Sequence, residues 1–384
     1  MTEYRFIEPL DVLYLRGNRL FGGAGADSEA LMPPWPSVFA GALRTRMLID
    51  AGVDPNAFAA GRARLPAGYA EALGTPAQPG GFTLGPVRLA RASAAGIEPV
   101  YPLPADLQVT LAEDLDKTTV HRLEPRLLPE GIACSRATRE LALLRIDAPA
   151  KPAAGYWLSA EGWRRYLTGT ELDAAHLIKT DSLWQPERRL GIALDPSRRS
   201  AAEGKLYTSE VIALCPEVGF LVGIEGVAAS ILPVQGLLRL GGDGRGAVLR
   251  CPETIKEPAT DFEGIAASGR FRVVLTAPGL FPGGWRLPGL NASGRWHLSG
   301  ASAHLVSAAI PRAVTVSGWD LARHAPKPAQ RCAPTGAVYW FEGLQGDPQV
   351  LGKLAERGLW KLEDQNNDPQ RRAEGFNRCT IANA

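Results

Sequence analysis

The chain has 384 residues, of which 45% are hydrophobic and 21% charged, a composition that fills folded cores and excludes wholesale disorder. That length exceeds one ordinary domain and predicts two. Lys and Arg number 42 against 40 Asp and Glu, a net charge of +2. Coating of long nucleic acid by overall charge is therefore excluded, and any contact with a polyanion must come from local clusters.

Glycine (42) and proline (31) are spread along the whole chain, which favours short strands and loops over helical bundles. Tyr4–Ile7 and Val12–Leu15, rich in aromatic and β-branched residues, read as strands. Arg16, Asn18 and Arg19 follow the second strand and lead into the loop FGGAGADS, a placement that suits gripping a backbone and equally suits a solvated hairpin. A helix is predicted over Ser37–Asp50, with Ser37 as N-cap after Pro36 and Phe39, Leu43 and Met47 on the inward face. Ser37, Gly41 and Arg44 share another face, where a phosphate can approach the helix start closely. A capped surface helix whose glycine serves packing has the same pattern.

Residues 61–105 and 252–268 are rich in Pro and Gly and read as insertions or connections. A further helix opens at Ser159 and contains Trp163, Arg164, Arg165, Tyr166 and Leu167. Arg188–Lys205 is locally basic: Ile192–Leu194 and Leu206–Tyr207 form two hairpin arms, with RRSAAEGK at the tip. Arg198, Arg199 and Lys205 offer cations to phosphates, and Tyr207 offers a face to an unstacked base. Gly241–Gly246, in LRLGGDGRGAVLR, reads as a tight hairpin turn with Arg245 at its tip, within reach of RNA phosphate. It lacks the Lys-Ser/Thr ending of a P-loop and the spacing of a dinucleotide fingerprint, so no nucleotide cofactor is expected. Phe271, Val273 and Leu275 alternate with Arg272 and Val274 as a strand; Val338–Phe341 reads as another, and Gln349–Lys361 as a helix. Helices and strands occur in both halves, so the fold class is α+β.

The five cysteines are widely scattered, with no C-x-x-C, and predict reduced, mostly buried thiols rather than disulfides or a zinc knuckle. The five histidines form none of the metal or catalytic spacings, and no G-x-S-x-G elbow is present, so neither a catalytic residue nor a metal site is assigned. Apolar runs are a few residues long, as in Phe220–Val222, and the N-terminus carries no signal-like pattern; no membrane contact and a cytoplasmic location are expected.

Six strings then occur in order: FIEPLDVLYLRGNRLF, PPWPSVFAGALRT, RLGIALDPSRRSAAEGKLYT, SGWDLARHAPKP, PTGAVYWFEG and EGFNRCTIA. Together, over residues 4–382, they resemble the third-subunit family of the type III-B CRISPR (Cmr) effector complex, within the RAMP group of RNA-binding proteins. The resemblance implies two ferredoxin-like (RRM-like) modules with long insertions and a protruding basic hairpin, divided near residue 215. It implies a non-catalytic subunit that holds the 5′ handle of the crRNA beside the large polymerase-like subunit and a backbone RAMP subunit, meeting target RNA only indirectly. The Ser37–Arg44 helix matches a segment expected near guide backbone. Gly375, Phe376 and Asn377, followed by Arg378, match the C-terminal glycine-rich loop, although Ala373 stands where a further glycine is often found. Trp319 and Asp320 match a family string, and a packed structural role is expected of them. Two other readings stay open: a metal-independent endoribonuclease that processes repeat RNA, as related RAMP proteins do, and a purely architectural subunit.

Overall fold

A computed structural model describes residues 2–15, 27–28, 30–111, 118–129, 131, 140–144, 151–195, 197–198, 200–320, 325–360, 362 and 367–384. The chain forms a mixed α/β fold with mostly antiparallel sheets. It divides into two units, each assembled from distant segments: residues 1–98, 180–254 and 316–329 in the first, and 99–179, 255–315 and 330–384 in the second. The first unit therefore does not end near residue 215. A strand just beyond that point, Val218–Glu225, pairs with the N-terminal strand and ties the two stretches together.

In the first unit, β1 (Glu3–Pro9) and α1 (Pro36–Asp50) are followed by α2 (Ala67–Leu73) and β2 (Thr83–Ser93). A long hairpin, β3 (Trp184–Asp195) and β4 (Ser200–Leu214), leads into β5 (Val218–Glu225). A second hairpin, β6 (Gln235–Arg239) and β7 (Gly246–Arg250), completes the set. The strand order β2-β5-β1-β7-β6 puts β1 antiparallel between β5 and β7. Because β5 is central, Val218–Ile224 is buried on both faces and reads as a continuous apolar run. Phe39 of α1 meets Phe220 of β5 with ring centroids 4.9 Å apart, which seats the helix on the sheet.

The second unit contains α3 (Ala160–Leu167), the strands β8 (Phe271–Leu275), β9 (Arg295–Leu298), β10 (Ala301–Ala309), β11 (Val338–Gly346), the helices α4 (Gln349–Arg357) and α5 (Pro369–Ala373), and β12 (Cys379–Asn383). The order is β9-β10-β11-β8-β12, with β8 antiparallel to both β11 and β12. One sheet face carries Phe271, Val273, Leu275 and Phe341 against Leu351 and Leu354 of α4. The other carries Val274, Val338 and Trp340 against Trp163, Tyr166 and Leu167 of α3.

Several elements depart from the sequence reading. Helix α1 begins at Pro36 with Trp35 as N-cap and no side-chain cap, so Ser37 is a first-turn residue rather than the cap. Proline suits that first position because it lacks the N–H that the helix start leaves unused. Residues 12–15 make only isolated bridges, Leu13 to Ile212 and Tyr14 to Gly242. The stretch 61–105 is no loop: it holds α2, β2 and a further strand, Gly96–Pro102, while 252–268 ends in a short helix, Phe262–Ser268. Arg272 does not alternate outward; both faces of β8 are covered, and Arg272 is buried among them. Trp319 is 56% exposed instead of packed, because its two-residue ribbon, Trp319–Asp320 against Ala325–Pro326, offers little surface to cover an indole. Of the four described cysteines, none is in a disulfide; Cys332 and Cys379 are buried, and Cys251 is exposed.

Candidate nucleic-acid interface

The β3–β4 ribbon is longer than its tip sequence suggested: pairing runs from Trp184–Leu214 at the base to Asp195–Ser200 at the end. At about 3.3 Å per residue, twelve residues of β3 extend roughly 40 Å. The base is anchored, with Leu183, Val211 and Ile212 buried. Further out, Leu190, Ile192 and Leu194 alternate along one face and are 70%, 48% and 67% exposed. Gly191 pairs across the ribbon with Tyr207, and a Cβ on Gly191 would lie 2.2 Å from the tyrosine ring, so the glycine gives the ring its seat. Arg198 is exposed at the turn. Arg199 lies outside the described residues, and Lys205 has a described backbone in β4 but no described side chain.

On α1, Ser37 and Arg44 are half-buried and Gly41 is exposed. Nη2 of Arg44 donates to the carbonyl of Leu73 at 3.2 Å, at the open C-terminal end of α2. Among the described residues no atom lies within 4 Å of a Cβ built on Gly41, and none of them accounts for this glycine in mid-helix by packing. Arg16, Asn18 and Arg19 lie outside the described residues.

Arg245 is held inside the first unit. Its Nη1 donates to Asp11 Oδ2 at 2.8 Å, its Nη2 to Asp243 Oδ2 at 3.4 Å, and its guanidinium sits 5.1 Å from the Tyr14 ring centroid. The glycine-rich turn thus holds Arg245 against exposed carboxylates, with the guanidinium still partly exposed.

The loop at Gly375–Arg378 is buried throughout. Asn377 adopts φ 60°; its Oδ1 accepts from the Leu280 N–H at 2.6 Å, and its carbonyl accepts from Leu359 N–H at 2.9 Å. The Phe376 carbonyl accepts from Trp360 Nε1 at 2.9 Å, and Arg378 Nη1 donates to the Glu356 carbonyl at 2.6 Å. Arg371, one turn earlier, is buried with Glu374 at 2.9 Å and lies 5.1 Å from the Phe376 ring centroid. These side chains fix neighbouring segments in place rather than project to solvent.

A buried polar cluster in the second unit has no counterpart in the sequence reading. Arg272 donates from Nη1 to Asp106 Oδ2 at 2.5 Å, from Nη2 to the Tyr166 carbonyl at 2.9 Å and from Nε to the Asn383 carbonyl at 2.8 Å. The Tyr166 hydroxyl donates to Asp106 Oδ1 at 2.8 Å, and Arg272 lies 4.4 Å from the ring centroid of Tyr166. Burial drives the Tyr166 hydroxyl well above the usual phenol range. For Arg272, burial opposes the charge, but Tyr166 and Asp106 outweigh it and the guanidinium pKa is raised. A fully satisfied, water-excluded set of this kind joins segments of the fold.

Among the described residues, no three His, Cys, Asp or Glu side chains converge as a metal ligand set, and no helix is long and apolar enough to cross a membrane. His121 Nε2 lies 2.8 Å from Thr110 Oγ1, and His176 sits in the capping box of its own short helix with Asp173.

A family model described as CRISPR-associated protein (Cas_Cmr3) matches residues 5–384. Among solved structures, a chain of a cryo-EM structure of the type III-B Cmr-beta bound to cognate target RNA is similar at 14% identity and TM-score 0.54, covering 98% of this chain and 96% of that one. A chain of the Cmr-beta bound to cognate target RNA and AMPPnP, state 1, is similar at 15% identity and TM-score 0.53, covering 99% of each. At these identities the likeness is one of fold. No curated protein matches the chain.

Proposed function

This chain belongs to the Cas_Cmr3 family of CRISPR-associated proteins, and on that premise we propose that it is a non-catalytic, RNA-binding subunit of a type III-B Cmr effector complex. In this reading it anchors the 5′ handle of the crRNA and bridges the large subunit to the first backbone subunit. The observation that carries the proposal is the β3–β4 ribbon, whose anchored base, exposed apolar face and cationic turn suit contact with an extended partner strand. Exposed Gly41 supports a close approach at α1, since nothing among the described residues lies within 4 Å of a Cβ placed there.

We also read both units as ferredoxin-like. The order β2-β5-β1-β7 in the first and β10-β11-β8-β12 in the second supports this, because each places the first strand of its set between the third and the fourth. The first unit retains the helix after its first strand, α1; the second retains helices before its last strand, α4 and α5. Arg198, Arg199, Lys205 and Tyr207, with Ser37, Gly41 and Arg44, form the interface we favour. Arg16, Asn18 and Arg19, which lie outside the described residues, remain part of the proposal on their sequence pattern alone. Gly375, Phe376, Asn377 and Arg378 enter it as a scaffold, because their buried bonds support adjoining segments.

Nuclease footprinting of the assembled complex tests the handle assignment. Changing Arg198 and Arg199 to Ala should weaken handle binding and flatten its salt dependence by about one unit of slope per lost phosphate contact. Unchanged footprint and slope in that double variant would falsify the ribbon assignment.

A further inference from the structure

We propose that the outer face of the β6–β7 hairpin, in the first unit, docks a neighbouring protein subunit of the Cmr complex through an apolar segment that carries a carboxylate; this rests on membership of such a complex and not on the handle-anchoring reading.

The hairpin sorts its side chains to two faces. Leu238 of β6 and Ala247 and Leu249 of β7 are buried. The residues between them take the opposite face, as alternation along a strand requires. There Leu237 stands directly across from Val248, and Arg239 across from Gly246. Leu10, just past β1, joins this face. Its N–H donates to the Gly246 carbonyl at 3.0 Å, and its Cδ1 lies 3.2 Å from where a Cβ on Gly246 would sit, so the glycine leaves room for the leucine. Leu237 is 61% exposed and Leu10 62%, with half-buried Val248 joining them. One exposed leucine needs no explanation, but a group of aliphatic side chains on one sheet face marks a contact surface.

The charges around this patch set the chemistry of its partner. Glu8, paired with Val248 across the strands, lies 3.8 Å from Arg250, and Asp11 and Asp243 both pair with Arg245. Arg250 also lies 4.8 Å from the ring centroid of buried Phe6. Arg239 is left. It is exposed, two residues along from Leu237 on the same face, and has no hydrogen bond or ion pair among the described residues. A segment seated on Leu237 and Leu10 therefore meets a fork-shaped cation, and a carboxylate is the group that complements it. RNA fits this face less well, because Leu10, Leu237 and Val248 offer no ring on which a base stacks.

The face, rather than the strand edge, receives the partner. Strand β6 is the last in the sheet order, but its Leu237 carbonyl already accepts from Arg46 Nη1 at 2.6 Å, and Arg46 Nε is held by Asp50 at 2.7 Å. A cation laid on an edge strand obstructs the pairing of another strand there.

The test uses the full chain in the assembled complex, with the photo-crosslinking residue p-benzoylphenylalanine at position 235. Gln235 is exposed and shares the face of Leu237, so the patch itself stays unaltered. Irradiation should join this position to another protein subunit, within an apolar segment containing Asp or Glu. Leu237→Asp and Arg239→Glu should each lower the affinity for that purified subunit about tenfold, with the melting temperature unchanged. Placing Lys at the crosslinked carboxylate should restore binding to Arg239→Glu. Normal binding by both variants, or crosslinks that reach only RNA or a second copy of this chain, overturn the docking face while membership of the complex stands. If the chain joins no other subunit at all, the face and the membership fall together.

Discussion

Arg272 has a relative exposure of 1% and its partner Asp106 of 0%, and every arm of the guanidinium has an oxygen to meet. Removing one partner leaves the other charge buried without compensation. Asp106→Ala should therefore destabilise the protein by about 3–5 kcal/mol, read as a lower denaturant midpoint. The pair replaced together by Met at 272 and Leu at 106 should cost less, because no charge remains stranded. Gly41 makes the opposite case. With open space beside it, Gly41→Ala should stabilise the free protein by about 1 kcal/mol, seen as a raised melting temperature, while weakening handle binding in the complex. A gain in stability with no loss of RNA binding removes α1 from the interface.

At the scale of elements, the β3–β4 ribbon separates anchoring from reach. Its base is buried, but Leu190, Ile192 and Leu194 contribute little to any core of this chain. Replacing residues 191–207 by an Asn-Gly turn should leave the melting temperature nearly unchanged and abolish handle protection in the assembled complex. Retained protection in the shortened chain contradicts a role for the ribbon. Strand β12 makes a different prediction. Cys379 is buried there, and burial pushes its thiol up to about 12 from an ordinary 9.0. The folded state thus holds this proton more tightly than the unfolded one. The associated stability is present below pH 9.0 and is lost as pH rises towards about 12, so alkaline unfolding should be less steep in Cys379→Ala. Thiol labelling of the native protein should modify exposed Cys251 first and leave Cys379 untouched.

At the scale of the whole molecule, the chain passes repeatedly between two units, so neither is a contiguous piece of sequence. Truncation after residue 215 should accordingly yield an unfolded fragment, checked by circular dichroism, because β1 would lose both of its neighbours, β5 and β7. Local patterns in the sequence were enough to find β1, α1, α3, α4, β8, β11 and the glycine turn before β7, since cap residues, apolar spacing and turn residues act over a few positions. The ordered strings pointed to the family that the whole-length match bears out. The burial of Arg272, the inward loop at Gly375–Arg378, the pairing of Arg245 with Asp11 and the exposure of Trp319 were decided only in three dimensions. Each depends on what a segment distant in sequence lays across a strand or leaves uncovered. Local periodicity records which faces a strand has, whereas long-range packing determines how many of them meet water.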